Sequence, residues 1–205
     1  TLPICKYGSY WEICVYRWLR KNPPVATILS NRGCRGSCTF CSVRSFNGKG
    51  VRRRNRFLVV DEIQRQAEEY GVKHFMWLDD DLFQPDSVDL FNEITRRNLN
   101  ITWDASNGVM ASATTNQIIQ AACESGCIGL SFGIESGDPD ILRMIKKPSG
   151  IKHFMAVSEI LKNFPKIFAK GFLMVGFPDE TVGKIWNTIN LARTMALDWY
   201  PIQIM

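Results

Sequence analysis

The feature that most constrains this chain is an alternation of short apolar runs with longer stretches of helical spacing, beginning near Val25. Apolar runs rich in strand formers fall at residues 25–30, 74–78, 101–105, 128–134 and 167–175, and a sixth begins at Ile202. Helices are expected between them, over 58–70, 87–97, 116–124, 138–144, 151–161 and 180–196. In the first, Leu58, Ile63, Ala67 and Tyr70 keep the helical period and Gly71 supplies a stop. Strands separated by helices pair in parallel through right-handed crossovers. The expected class is α/β, a parallel β/α barrel or an open part of one. Residues 1–24 lack this alternation. An aromatic-rich stretch from Tyr10 to Leu19 runs into Pro23-Pro24, which cannot continue a helix. That segment is expected to be a lead-in to a domain over 25–205.

With 45% hydrophobic and 22% charged residues, the 205-residue chain has ordinary globular composition, which excludes general disorder. It begins at Thr1 and stops at Met205 inside an apolar stretch, so both ends are expected to continue in a longer protein. No run approaches the ~20 apolar residues of a membrane span, and no signal peptide is visible. The expected location is the cytoplasm. The net charge is +5, and much of it sits in Arg52-Arg53-Arg54-Asn55-Arg56. A nucleic-acid surface needs a wider basic face, so no nucleic-acid partner is expected; a solvated loop or an anion site is the simpler reading.

Seven cysteines do not form an even disulfide framework. Cys5, Cys14, Cys123 and Cys127 are scattered, and Cys123 and Cys127 fit a helix face and a strand start as buried thiols. The other three stand together, in Asn31-Arg32-Gly33-Cys34-Arg35-Gly36-Ser37-Cys38-Thr39-Phe40-Cys41, directly after the first strand. A buried helical stripe would also space cysteines this way, but Gly33, Gly36 and Ser37 suit a loop wrapped round a compact object. A structural zinc site would need a fourth ligand, and His74 and His153 are each isolated. Three thiolates can instead hold three corners of an iron–sulfur cubane and leave the fourth iron open, whereas electron-transfer clusters use four cysteines. Polar groups collect at the ends of other strands: Asp79-Asp80-Asp81, Asp104-Ala105-Ser106-Asn107, Glu135-Ser136 and Pro178-Asp179-Glu180. In a parallel barrel that end carries the chemistry.

The motif Cys34-x3-Cys38-Thr39-Phe40-Cys41 resembles the signature of the radical S-adenosylmethionine superfamily. The resemblance runs from about Val25 onward. It implies a partial (β/α)6 TIM-like barrel, a [4Fe–4S] cluster on Cys34, Cys38 and Cys41, and S-adenosylmethionine chelated to the open iron. It also implies an electron donor such as flavodoxin or a ferredoxin-like protein. By the same resemblance, Phe40 lies near the adenine. Asp80 and Asp81, in Leu78-Asp79-Asp80-Asp81-Leu82-Phe83, replace the family's Gly-Gly-Glu segment near the methionyl amino group. Glu135, in Gly133-Ile134-Glu135-Ser136, falls near the ribose or methionyl end. These segments, with Gly176-Phe177-Pro178-Asp179-Glu180-Thr181, are similar to the cobalamin-dependent and methylthiotransferase-like branches. No Asp-x-His-x-x-Gly cobalamin loop occurs here, so cobalamin would come through a domain outside these residues. The implied reaction is functionalisation of a C–H position, by methyl transfer or rearrangement. An electron-transfer protein or a zinc-bound nucleic-acid module is the alternative.

Overall fold

The computed structural model describes residues 24–205. After β1 (Val25–Ile28), the short strands β2 (Asn31–Arg32) and β3 (Arg52–Arg53) form their own antiparallel ladder. The main sheet continues with β4 (His74–Trp77), β5 (Thr102–Val109), β6 (Cys127–Glu135), β7 (Phe168–Val175) and β8 (Ile202–Ile204). It is six-stranded, in the order β1-β4-β5-β6-β7-β8, and every neighbouring pair is parallel. This is the all-parallel α/β sheet that the alternation predicts and the partial (β/α)6 barrel that the resemblance implies. The lead-in expected over 1–24, with Cys5 and Cys14, lies outside the described residues except for Pro24.

The helices are α1 (Val43–Asn47), α2 (Arg56–Tyr70), α3 (Ser87–Arg96), α4 (Asn116–Glu124), α5 (Pro139–Met144), α6 (Ile151–Leu161) and α7 (Val182–Thr194). Local chemistry sets their ends. Asn55, Thr115, Asp138 and Thr181 each accept a backbone N–H of the first turn, and Gly71 closes α2 in the left-handed conformation. At α3 no side chain caps the first turn: the Ser87 hydroxyl donates to Leu82 O and accepts from Gln84 N, while Asp86 pairs with Arg53.

Alternate residues of the strands point to opposite faces. One face, carrying Ile28, Phe75, Trp77, Trp103, Leu130 and Phe132, packs on the helices in a continuous core. Trp103 stacks on Phe91 at 5.0 Å between ring centroids and meets Trp77 edge-on at 5.2 Å. The opposite, interior face is partly polar. His74 Nε2 lies 2.8 Å from Asp104 Oδ2, and Ser106 bonds the same carboxylate. This corrects the sequence expectation for the third strand, which runs to Val109 rather than 105. Asp104 is therefore not a loop residue but fully buried inside the barrel, and His74 is not isolated. Among the described residues, no helix is long and apolar enough to cross a membrane.

Candidate functional site

The cysteine loop is held from behind by the aspartates that follow β4. Asp79 Oδ1 accepts from Ser30 N (2.7 Å) and Asn31 N (3.2 Å), and its Oδ2 accepts from Asn31 Nδ2 (2.8 Å) and the Ser30 hydroxyl. Burial pushes the Asp79 carboxyl up to about 6, against the pull of these hydrogen bonds. Asp80 Oδ2 accepts from Gly33 N at 2.9 Å and Asn47 Nδ2 at 2.8 Å. Asp81 accepts from Arg35 Nε at 2.8 Å, Arg35 Nη2 at 3.1 Å and Arg35 N at 3.2 Å. Gly33 has no alternative at its position. Its φ is +91°, and a Cβ there would lie 2.2 Å from Gly50 O.

On the open side of this loop, Cys34, Cys38 and Cys41 share the lining of one cavity of about 320 Å³. That volume is within the ~300–1,000 Å³ of small-molecule sites. Asp80, Glu135, Lys147, Phe40 and the backbone at Gly108 and Gly133 complete the wall that the chemistry needs. All three thiols are free; Cys34 and Cys38 are half-buried and Cys41 is exposed. Burial pushes Cys34 and Cys38 up; the Gly36 N–H pulls Cys34 back down, and the nearby Lys147 ammonium does the same for Cys38. Gly36 N donates to Cys34 Sγ at 3.2 Å. A Cβ at Gly36 would stand 3.3 Å from Cys34 Sγ and 3.8 Å from Cys38 Sγ, so the bare glycine keeps the space beside the two sulfurs open. Among the described residues, no three His, Cys, Asp or Glu converge tightly enough for a single ion. Three free thiols spread round a cavity, with a backbone N–H on one sulfur, fit a polynuclear iron–sulfur cluster with one iron left for an outside ligand.

In the same cavity wall, Glu135 ends β6 with φ +65°, a left-handed conformation that glutamate rarely adopts. Its Oε1 accepts from Lys147 Nζ at 2.7 Å. The pair folds over Gly133, where a Cβ would lie 2.7 Å from both of these atoms. Phe40 meets Phe177, from the loop after β7, at 6.4 Å edge-to-face.

The structure thus gathers Cys34, Cys38, Cys41, Phe40, Asp80 and Glu135 at one cavity. Asp81 stands apart, its side chain fully buried behind the loop against Arg35. Of the segment expected at the end of the third strand, Asn107 reaches the cavity. Glu180 folds onto its own loop, accepting from Gly176 N at 2.6 Å. Sequence reasoning missed Lys147. It follows α5 in the turn Lys146-Lys147-Pro148, where no period or motif distinguishes a site lysine from a solvated one.

The radical SAM superfamily profile matches residues 28–192. An uncharacterised methyltransferase of Pyrococcus horikoshii is 32% identical over 96% of this chain and 42% of its own length. A bacteriochlorophyllide d C-12(1)-methyltransferase of Chlorobaculum tepidum is 32% identical over 79% of this chain and 36% of its own. The cytidylyl-2-hydroxyethylphosphonate methyltransferase of Streptomyces wedmorensis is 29% identical over 83% and 32%. The chain spans less than half the length of each. Among solved structures, the radical S-adenosylmethionine methyltransferase TsrM of Kitasatospora setae, with cobalamin and a [4Fe–4S] cluster bound, superposes with a TM-score of 0.77. That likeness covers 88% of this chain and 36% of TsrM at 17% identity, and carries the fold alone. A parallel half-barrel, three thiols in one loop and a profile match across most of both lead to one conclusion: the chain belongs to the radical SAM superfamily.

Proposed function

We propose that this protein is a radical S-adenosylmethionine enzyme that functionalises an unactivated C–H position, with methyl transfer as the favoured outcome. The observation that carries the proposal is the single cavity onto which three free thiols and the Glu135–Lys147 pair all open. When bound, a reduced [4Fe–4S] cluster with one open iron supplies the electron that splits S-adenosylmethionine into methionine and a 5′-deoxyadenosyl radical.

This chain's residues supply the setting. Cys34, Cys38 and Cys41 hold the irons. Gly133 leaves space for the Glu135–Lys147 pair, Phe40 offers a face to the adenine, and Glu135 with Lys147 offers an acceptor and a charge to the ligand's polar groups. Asp80 joins the cavity to the loop, since it both lines the one and binds the other. Asp81 acts at one remove, by keeping Arg35 and the loop backbone in place. The fixed geometry turns an encounter between an electron source and a sulfonium into a unimolecular step.

The methyltransferase names of the relatives favour methyl transfer over rearrangement, and TsrM favours cobalamin as a second cofactor, brought by a part of the protein outside these residues. The reaction requires a one-electron donor of the flavodoxin or ferredoxin type, and cytoplasmic residence agrees with that supply. The test is chromatographic. Reconstituted without oxygen and given dithionite, the full chain should form 5′-deoxyadenosine or methylthioadenosine from S-adenosylmethionine. A reducible cluster that forms neither would make this a closed electron-transfer protein instead.

A further inference from the structure

The segment from Val25 to Val60, which contains the whole cysteine loop, has many cations and no Asp or Glu. The structure divides these cations into two groups. Arg35, Arg53, Arg54 and Arg56 form ion pairs with Asp81, Asp86, Glu62 and Asp89. Half of the basic segment therefore stitches the loop and hairpin to α2, α3 and the strand ends. Arg32, Arg44, Lys49 and Arg52 have no acidic partner among the described residues. Two of them are held by hydrogen bonds to the backbone of the cysteine loop and the helix after it, and the other two stand beside these. Arg44 Nη1 donates to Gly36 O at 3.3 Å, inside the cysteine loop. Arg32 stands opposite Arg52 in the β2–β3 ladder, and Arg52 donates to Asn47 O, next to the turn that carries Lys49. On this rim Phe46, in α1, is 86% exposed, and Cys41 itself is exposed.

We infer that this rim is the docking surface for an acidic electron-transfer protein that reduces the cluster. The inference rests on the proposed function and names the partner surface of that site. Four cations without acids raise the local concentration of a negatively charged partner and orient it on approach. One exposed aromatic ring among them gives an apolar centre. A small, mostly polar contact suits redox encounters, which sit at the low end of interface size and must release the partner after each transfer. One electron leaves the partner's reduced flavin and enters the cluster, so the partner is oxidised by one electron and the cluster reduced by one. A nucleic-acid surface would need a wider basic face, and the acids paired with Arg53, Arg54 and Arg56 remove the rest of the run from it.

The test uses the full chain with its cluster restored anaerobically and reduced flavodoxin, an acidic flavin protein, in stopped flow. The exposed side chains of Arg32 and Lys49 make no hydrogen bond to a described residue, and the β2–β3 ladder that holds Arg32 is made by backbone, so R32E/K49E is a surface change. It should slow the second-order reduction about tenfold or more at low salt and flatten its salt dependence. R32Q/K49Q should show a smaller loss. Reduced methyl viologen, a small cation, should reduce the charge-reversed variant at least as fast as the parent. Binding of oxidised flavodoxin to cluster-free protein, read by flavin fluorescence anisotropy, should weaken in parallel. That arm needs neither a cluster nor turnover, so it stands even if no 5′-deoxyadenosine is ever formed. Equal flavodoxin rates and equal binding in parent and variant would overturn the proposal. So would a labelled single-stranded oligonucleotide that the parent binds and the variant loses while flavodoxin reduction is unchanged.

Discussion

The acidic loops after β4 and β6 look alike in sequence and serve different ends. Asp79, Asp80 and Asp81 all turn toward the cysteine loop and bond to it, and Asp79 and Asp81 are buried there. Glu135 bonds instead to a lysine, and it shares the lining of the cavity with Asp80, the one aspartate of the three that serves both loop and cavity. What separates the two is the supply of donors. The glycine-rich cysteine loop has several unpaired backbone N–H groups, and carboxylates close to it satisfy them. At Glu135 the carboxylate accepts from the Lys147 ammonium, and a left-handed backbone lifts it over Gly133. An acidic residue at a strand end is thus scaffold or site according to what surrounds it.

The largest break in this comparison should come from Asp79→Ala. It strands the backbone N–H groups of Ser30 and Asn31 and the Asn31 amide, at about 1–3 kcal/mol per buried unpaired donor. Urea unfolding should show a loss of several kcal/mol and iron analysis a depleted cluster. A variant as stable as the parent would show that these bonds do not anchor the loop.

A second effect comes from the same residue through pH. Burial places the folded carboxyl at about 6, against an ordinary 3.8, so the native state binds this proton more tightly than the unfolded chain does. Its contribution to stability is then greatest below about 4, falls as pH rises toward 6, and stays low above that. Two units correspond to at most about 3 kcal/mol. Comparing stability against pH for the parent and for Asp79→Asn should reveal that slope in the parent only. Parallel curves would mean that Asp79 titrates as a surface carboxylate does.

At the cavity, Glu135→Ala should leave iron content nearly unchanged. It should weaken S-adenosylmethionine about tenfold or more in calorimetric titration, as removal of a charge-assisted bond of about 1.5–3 kcal/mol requires. Unchanged affinity would give Glu135 a role in the loops alone. The smallest effect concerns its backbone. At φ +65°, Glu135→Gly should be about 1 kcal/mol more stable than Glu135→Ala, while binding the ligand no better. Equal stabilities would show that the site relaxes out of this conformation once the side chain is gone.

The sequence was legible where hydrophobic period and a specific motif coincide. Strand–helix alternation gave six parallel strands, and the spacing of Cys34, Cys38 and Cys41 located the site. The third strand was cut short because its interior face carries Asp104 and Ser106, which His74 makes tolerable inside the barrel, and no local pattern shows that pairing. The β2–β3 ladder escaped notice because it has two residues per strand and almost no apolar burial. Lys147 was hidden because its importance depends on Glu135, twelve residues away, and on a glycine small enough to let them meet. The basic run could be read only as a charge, since its division into paired and unpaired arginines depends on acids from α2, α3 and the loops.

The central claim is that three cysteines hold a cluster whose open iron takes S-adenosylmethionine. Electron paramagnetic resonance of the reduced full chain tests it most directly. The account predicts a [4Fe–4S] signal that is lost in Cys34→Ala, Cys38→Ala or Cys41→Ala, persists in Cys127→Ala, and changes its g values when S-adenosylmethionine is added. A spectrum identical with and without S-adenosylmethionine, or one that disappears equally in Cys127→Ala, would contradict it.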